Sequence, residues 1–384
     1  MNKVKLKMPP SSSSASCCSN TGGSAGGCEY NSKCGPIIQM KYSKGAPWVS
    51  GSISTAAGDI QQVSASLIFS DILGSIKARF GIGRDNYKVE PGIYCIGNPD
   101  GTSPVLVTAN YKMTFDSLRM ELSELNAWLL VLDTKGINVW CAAGKGTFGT
   151  KELVNRIAKV SLGTIVSHRT LILPQLGAPG VSAHEVTKRS GFKVVYGPVR
   201  ASDIKAFLQK NMIADSGMRT VRFTMVDRLV LTPLEFVNTF KQLLILFGVL
   251  FILNLTVPEH FGTVDFYAIL GAVFVGTVLT PVLLPFIPGR AFSFKGWLLG
   301  LIWAAGVLLL NGFPDAPVFS WVTAASYLLA LPAVSSYLAM NFTGCSTYTS
   351  FSGVKREMEI ALPLMLVSLG LGILLQLAGL IFRL

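Results

Sequence analysis

Five apolar stretches dominate the last 144 residues of the chain. None of them contains Asp, Glu, Lys, Arg or His. The hydrocarbon core of a bilayer needs about 20 apolar residues per helix, because every backbone amide must find its partner inside the segment. The pattern therefore predicts five membrane-spanning helices, at 242–257, 266–287, 296–313, 318–340 and 360–382. The first is short, and reaches full length only if it begins near Phe236 with Lys241 extended to the membrane surface.

Residues 60–235 show a different pattern, in which short apolar runs alternate with helical periodicity. Strands are predicted at 104–109, 128–133, 170–173 and 192–196, and helices at 64–79, 115–125, 151–160, 182–188 and 201–211. Such alternation is typical of an α/β domain of the Rossmann-like kind, with a parallel sheet between helices. Ligands of such domains gather at the carboxyl ends of the strands. The loop after the strand at 128–133 is therefore the expected place for chemistry.

Composition separates the two parts chemically. Hydrophobic residues make up 50% of the 384 residues and charged residues only 14%, which argues against a purely soluble cytosolic chain. Residues 1–240 hold 27 basic and 16 acidic side chains, net +11, whereas the remaining residues hold 6 and 5. A basic portion suits an acidic protein partner or an anionic membrane surface. No basic patch is interleaved with aromatic residues, so nucleic-acid binding is not expected.

The loops between the predicted spans indicate the orientation. Two of them, at 258–265 and 311–317, contain acidic residues and no Lys or Arg. The other two loops each carry a basic pair, Arg290 with Lys295 and Lys355 with Arg356. Because positive charge stays in the cytoplasm, we expect a multi-pass protein of the inner cell membrane with its N-terminal domain in the cytoplasm. The spans hold no ionisable residue, which favours an anchor over a transporter.

The N-terminal residues form a third region. Residues 1–59 are rich in Ser and Gly, which predicts a disordered tail ahead of an α/β domain at 60–235 and a membrane domain at 236–384. Four cysteines lie in the tail, at Cys17, Cys18, Cys28 and Cys34. Their spacing fits no zinc, haem or ferredoxin pattern, so a soft-metal site there is only a hypothesis. No apolar segment follows the first lysines, and no signal peptide is expected.

The loop after the strand at 128–133 contains Gly144 and Lys145 but no phosphate-binding motif. The pattern GxxxxGK[ST] requires Gly at position 139 and Ser or Thr at position 146, and the chain has Val139 and Gly146. Cys141 has no His or Asp nearby in sequence that could act as its base, so hydrolysis is unsupported. A lone Cys beside a core strand is commonly an inert hydrophobe. Its neighbours are nevertheless small enough for a large flat ligand to approach the thiol: Ala142, Ala143, Gly144 and Gly146.

The segment Asn138-Val-Trp-Cys-Ala-Ala-Gly-Lys145 resembles the signature of the HgcA family, the membrane-bound corrinoid proteins of microbial mercury methylation. Five further segments resemble the same family, at 94–99, 104–111, 174–180, 196–201 and 341–344. The soluble part is also similar to the corrinoid-binding domain of the corrinoid iron-sulfur protein, which has no membrane spans and lacks this Cys. The resemblance runs from about Ser64 to the C-terminus and implies a Rossmann-like corrinoid-binding domain followed by an all-α domain of five spans.

The resemblance implies that Cys141 is the catalytic residue and ligates the cobalt of a cobalamin-type corrinoid from a short cap helix. The residues expected to bind the cofactor are Asn138, Val139, Trp140, Cys141, Ala142, Ala143, Gly144, Lys145, Gly146, Gly177 and Gly180. Trp140 either walls the corrinoid or fills the core, and Lys145 either bonds a corrinoid amide or orients the loop. The common ligand motif D-x-H-x-x-G is absent, since neither His168 nor His184 has an Asp two places before it.

The reaction implied by the resemblance passes a methyl group from methyl-Co(III) to inorganic Hg(II), forming methylmercury, so the protein is expected to be a corrinoid-dependent methyltransferase. Because Hg(II) is an electrophile, the methyl group should leave as a carbanion equivalent, which an opposed thiolate favours by donating electron density. Transfer of a methyl radical is the alternative. The chain has no cluster motif, so a ferredoxin-like iron-sulfur protein is expected as electron donor, and a methyl-donor protein or methyl-folate-type compound as methyl source.

Two other functions are open at this stage. The chain could be a membrane-anchored corrinoid methyl carrier that serves another acceptor in one-carbon metabolism, and the two interpretations differ only in the electrophile that reaches the cobalt. It could instead be a metal-binding transport or sensor protein that uses the tail cysteines and the spans, with Cys141 inert. The last interpretation predicts that no corrinoid binds.

Overall fold

The computed structural model describes residues 45–256, 261–315 and 320–382. The strands are β1 (Val49–Thr55), β2 (Gly58–Val63), β3 (Gly92–Ile96), β4 (Val105–Ala109), β5 (Ala127–Leu132), β6 (Thr170–Leu173) and β7 (Lys193–Tyr196). The helices of the α/β domain are α1 (Phe69–Arg79), α2 (Lys112–Glu121), α3 (Val139–Gly144), α4 (Thr150–Lys159), α5 (Leu162–Ile165), α6 (Ala183–Ser190) and α7 (Ile204–Gln209). The four tail cysteines lie outside the described residues.

The described strands form one seven-stranded sheet in the order β1-β2-β3-β5-β4-β6-β7. The block β5-β4-β6-β7 is parallel, which confirms the predicted α/β class. Strand β3 runs antiparallel to β5, and β1 runs antiparallel to β2, so the sheet is mixed and the prediction of a parallel sheet is wrong for this half. Helices on both faces bury it: Leu130, Phe148 and Leu153 pack on one face, and Leu129, Phe115 and Phe207 on the other.

Strands β1 and β2 correct the predicted extent of the tail. Residues 49–59, assigned to the tail from their composition, form β1 and the start of β2. The β1 segment VSGSIST is an edge strand with mostly exposed residues, so it has no alternating apolar pattern to detect. Its stability comes from pairing with β2, in which Ile60 and Val63 are buried.

The second part of the described chain is helical. Its helices are α8 (Met225–Leu229), α9 (Thr232–Thr256), α10 (Thr263–Phe274), which continues through a π-helical turn (Val275–Leu279) into α11 (Thr280–Leu283), α12 (Phe292–Leu310), α13 (Trp321–Asn341) and α14 (Phe351–Phe382). By length and composition, five segments of the described residues can cross a membrane, at Met225–Leu255, Thr263–Leu283, Phe292–Leu310, Trp321–Gly344 and Ser352–Gly379. Five helices that are long and apolar enough to cross a membrane thus lie where the five spans are predicted, which indicates a multi-pass membrane protein.

The linker between the two parts is fixed to the helical bundle by a buried arginine. Arg228 donates through Nη2 to the carbonyl of Val282 at 2.8 Å and through Nη1 to the carbonyl of Phe223 at 2.7 Å. Val282 lies in the last turn of α11, whose free carbonyls attract a cation. Phe223 packs beside this contact against Leu284 and Phe292. The first membrane helix therefore starts from a fixed point on the bundle.

Four buried charges join α1 to α2. Asp71 of α1 accepts hydrogen bonds from Lys112 Nζ at 2.8 Å and from Arg119 Nη2 at 2.6 Å. Asp116 accepts from the same two side chains, and Arg119 also donates to the carbonyl of Ser66. Burial raises the pKa of Asp71, but the bonds from Lys112 and the Ile68 amide and the two nearby cations outweigh it, so the pKa lies below its ordinary value of 3.8. The stabilisation from this carboxylate is present above that value and is lost as the pH falls through the lowered pKa.

Replacing Asp71 with Ala tests this network. We expect the free energy of unfolding to fall by about 3 kcal/mol, because Lys112 and Arg119 stay buried with one carboxylate between them. For a domain of this size the thermal midpoint should drop by roughly 6–12 °C, as followed by near-ultraviolet circular dichroism of the solubilised full chain. Asp85→Ala, at an exposed carboxylate, is the control and should change little. Equal midpoints for both variants would show that the network does not stabilise the domain.

Candidate functional site

Helix α3 stands at the carboxyl edge of the sheet, directly after the loop that leaves β5. Asn138 begins it: the Asn138 side chain accepts a hydrogen bond from the backbone amide of Cys141 at 2.9 Å. This is the usual capping contact of a helix N-terminus, and it satisfies an amide that has no partner within the helix. The polar residue at 138 therefore sets where the helix starts and, with it, where Cys141 lies.

The loop before α3 is held by Asn110, the residue that directly follows β4. The Asn110 side-chain oxygen accepts hydrogen bonds from the Thr134 amide at 3.1 Å, the Thr134 hydroxyl at 2.8 Å and the Gly136 amide at 3.0 Å. Gly136 has a positive φ of 73°, which turns the chain toward α3. Sequence reasoning did not single out Asn110. The sequence feature that could have identified Asn110 is a polar residue directly after an apolar strand, because side chains of neighbouring strands meet at that edge of the sheet.

Helix α3 has one buried and one exposed side. Val139, Ala142 and Ala143 are buried against the core, while Cys141 and Trp140 are exposed. Trp140 retains 40% of its surface, so it does not fill the core. The residues that follow, Gly144, Lys145 and Gly146, are also exposed. The short helix thus presents its thiol outward on a rigid support.

Gly177 and Gly180 support α3 from beneath. A Cβ added at Gly180 would lie 2.2 Å from the Phe148 carbonyl oxygen and 3.0 Å from Ala143 Cα, and one added at Gly177 would lie 2.5 Å from the Phe148 ring. Both glycines are therefore required for the close approach of the 175–180 turn to α3. The structure thus gives both glycines a packing role, and neither lines the cleft beside α3. Their contact with a cofactor stays a prediction.

A cleft of about 400 Å³ opens beside α3, at the carboxyl ends of β4, β6 and β7. Asn138, Val139 and Trp140 line it from α3, and Arg79 lines it from the end of α1. The rest of its wall is largely apolar and comes from the ends of the strands and from α2 and α7. Of the predicted cofactor residues, the structure brings these three to the cleft, and Cys141 follows on the exposed side of α3 just beyond them.

Other potential metal ligands in the described part of the chain are engaged elsewhere or distant from the cleft. Cys95 is buried in β3, and burial raises the pKa of its thiol to about 12. His168 has Nε2 at 2.9 Å from the Ser103 carbonyl oxygen, and its Nδ1 accepts from the Thr170 amide. His184 is exposed on α6, and His260 lies outside the described residues. Among the residues described, no three His, Cys, Asp or Glu side chains converge as a metal site.

Comparison with known proteins gives the α/β domain a family context. Residues 60–208 match the family model described as CO dehydrogenase/acetyl-CoA synthase delta subunit. The acetyl-CoA decarbonylase/synthase complex subunit gamma of Methanopyrus kandleri is 34% identical over 129 residues, which cover 33% of this chain and 28% of the relative. The equivalent subunit of Archaeoglobus fulgidus is 32% identical over 145 residues, covering 36% and 30%.

A bacterial relative has the same pattern of similarity. The corrinoid/iron-sulfur protein large subunit of Moorella thermoacetica is 32% identical over 127 residues, which cover 33% of this chain and 28% of the relative. The chain spans under a third of the length of these curated relatives. Residues 60–208, which match the family model, include α3 and the residues that line the cleft. This α/β domain is therefore homologous to part of those subunits.

A larger side chain at Gly180 should displace α3. In Gly180→Ala the new Cβ would collide with backbone atoms of Phe148 and Ala143, which cannot move aside as a flexible side chain can, at a cost of about 1–3 kcal/mol. We expect faster hydrogen exchange of the α3 amides, measured by mass spectrometry on the full chain. The matched control is Gly144→Ala, where an added Cβ meets nothing within 4 Å. Unchanged exchange in Gly180→Ala would contradict the supporting role of the 175–180 turn.

Proposed function

We propose that this protein is a membrane-anchored, corrinoid-dependent methyltransferase that transfers a methyl group to inorganic Hg(II) and forms methylmercury. The observation that carries the proposal is the exposed Cys141 thiol, presented by a capped helix beside a cleft at the carboxyl edge of the sheet. The domain that presents it is similar to the large subunit of a corrinoid/iron-sulfur protein. When bound, the corrinoid supplies a cobalt centre that carries the methyl group between donor and acceptor.

The surface around Cys141 fits a broad, flat group. A Cβ added at Gly144 or Gly146 would meet nothing within 4 Å, so the space beside the thiol is open. Trp140 stands next to Cys141 and adds an aromatic wall toward the cleft. Lys145 is exposed at the end of α3, where it can donate to a peripheral amide of the cofactor. We assign Ala142 and Ala143 the role of holding this surface against the core, because both are buried.

Cys141 is the protein ligand that we propose for cobalt. A thiol binds a metal as thiolate, so ligation releases the proton from Cys141 Sγ. Asn138 keeps the sulfur in place by fixing the first turn of α3. Bound to cobalt, the Cys141 thiolate would donate more electron density to the metal than an imidazole or water would, which would favour delivery of a methyl group to an electrophile. This requirement explains why a Cys, rather than a His, occupies the exposed position beside the cleft.

We infer the orientation of the protein from its charges. Arg290, Lys295, Lys355 and Arg356 lie near the ends of α11, α12 and α14 that adjoin the start of α9 and hence the linker. The opposite ends carry Asp265 and Asp315. We infer that the α/β domain lies in the cytoplasm. There it can meet a ferredoxin-like iron-sulfur electron donor and a methyl donor, and its excess of basic side chains suits an acidic partner.

The names of the relatives support a second candidate function. They are named as subunits of acetyl-CoA decarbonylase/synthase complexes, which favours a methyl carrier that passes its group to an acceptor other than mercury. The two candidate functions share the corrinoid and differ in the electrophile. Supplying the loaded full-length protein with thiol-bound Hg(II) and measuring methylmercury separates them.

Substitution of Cys141 tests the proposed ligand. Cys141→Ala should retain bound corrinoid, as judged by its absorption spectrum, but reduce methylmercury formation to the rate without protein. Cys141→His replaces the thiolate with a weaker donor and should retain part of the activity. Cys95→Ala is the control, because this buried thiol lies in the core and away from the cleft. Normal methylation by Cys141→Ala would overturn the role of Cys141, whereas no methylation by the unaltered protein would favour the second candidate.

A further inference from the structure

Helix α1 exposes a continuous apolar stripe. We call the residues of this stripe the α1 apolar face: Phe69, Ile72, Leu73, Ile76 and Phe80. Their spacing of three and four residues places them on one side of the helix. The exposed fraction is 77% for Phe69 and 48% for Ile76. Ile82, just beyond the helix, extends the patch and is 63% exposed.

The helix is amphipathic in the opposite sense to a surface helix of a soluble domain. A surface helix of a soluble domain normally buries its apolar stripe and exposes its charges. In α1 the buried side is centred on Asp71, which is held by Lys112 and Arg119, and the apolar side is turned outward. On its buried side, Gly74 lies against the ring of Tyr87, whose hydroxyl donates to the Asp71 carbonyl. The contacts of Asp71 with Lys112 and Arg119 hold the apolar stripe facing away from the domain. An exposed apolar surface of this size is typical of a site that meets another apolar surface.

The end of α1 lies beside the first membrane helix. A Cβ added at Gly81 would be 3.4 Å from Leu234 Cδ1, and Leu234 lies in the first turn of α9. Phe80 and Ile82, which flank Gly81, are both exposed at this junction. In the short helix that leads into α9, Val226 is 67% exposed, so apolar surface also surrounds the entry of α9 into the membrane. The α1 apolar face is therefore continuous with a membrane-spanning segment.

The charges of α1 match a lipid surface. Its two basic residues, Lys77 and Arg79, project roughly 80° to either side of the centre of the stripe at 3.6 residues per turn. Its one acidic residue, Asp71, is buried and paired. Lys77 is exposed and can reach the lipid phosphates, as basic side chains beside an apolar stripe do in helices that lie in a membrane interface. Arg79, on the other flank, is half-buried and lines the cleft.

We propose that the α1 apolar face is embedded in the surface of the membrane leaflet at which α9 begins. The occupant of this surface is the lipid bilayer, with Lys77 at the level of the headgroups. Arg79 lines the candidate cleft, so this seating brings the rim of the cleft close to the membrane surface. This attachment of the domain to the bilayer does not depend on the identity of the methyl acceptor.

Site-specific photocrosslinking of the full-length protein tests the proposal. The photoreactive amino acid p-benzoylphenylalanine is placed at Phe69 or Ile76, and the protein is reconstituted in nanodiscs of phosphatidylcholine and phosphatidylglycerol. The control position is Glu185, which is exposed on α6, on the opposite face of the sheet from α2. After illumination, mass spectrometry identifies the crosslinked partner. We expect phospholipid adducts at positions 69 and 76 at a yield at least about tenfold above that at 185.

Two results would overturn the proposal. A phospholipid yield at 69 and 76 equal to that at 185 would show that the face does not touch the bilayer. A predominant adduct with a polypeptide would show that a protein partner or a second copy covers it. Both probe positions carry exposed side chains, so the substitutions leave the buried attachment through Asp71 unchanged.

Discussion

The seating of α3 on the carboxyl edge of the sheet is the constraint on which the candidate site depends. Gly180 approaches α3 so closely that no side chain fits between them, and Asn110 holds the loop that leads into the helix. With its alanines buried, the helix has one free side, and Cys141 is on it. A six-residue helix would be marginal on its own. Its surroundings make it rigid, and rigidity is what a metal ligand needs in order to hold a defined position.

A small number of polar contacts connects the α/β domain to the membrane helices. Arg228 fixes the linker to the end of α11, and the buried charges around Asp71 fix α1 to α2. The buried ion pairs of Asp71 are costly to break on one side, so they hold α1 in one orientation on the domain. Arg200 forms a half-buried ion pair with Asp227 of α8, next to Arg228. The cleft beside α3 is therefore held in a defined relation to the membrane helices by polar contacts at several points.

Sequence reasoning found the elements with strong patterns and missed those without them. The strand at 170–173 and the five spans were found because unbroken apolar runs have few alternatives. Strand β3 is entirely buried but was not predicted, because its sequence GIYCI begins with Gly and lies between Pro91 and Gly97, a setting that is also typical of a loop. The importance of Cys141 came from the resemblance of its segment to a known family, and not from its spacing. The roles of Asn110 and Gly180 arise from contacts between distant segments, which a linear pattern does not contain.

We propose that the Cys141 sulfur forms a bond to cobalt. X-ray absorption at the cobalt edge, on the purified full-length protein loaded with corrinoid, measures the atoms that surround the metal directly. We predict one sulfur neighbour of cobalt in the unaltered protein and its loss in Cys141→Ala at equal corrinoid content. A cobalt surrounded only by nitrogen and oxygen in both proteins would contradict it.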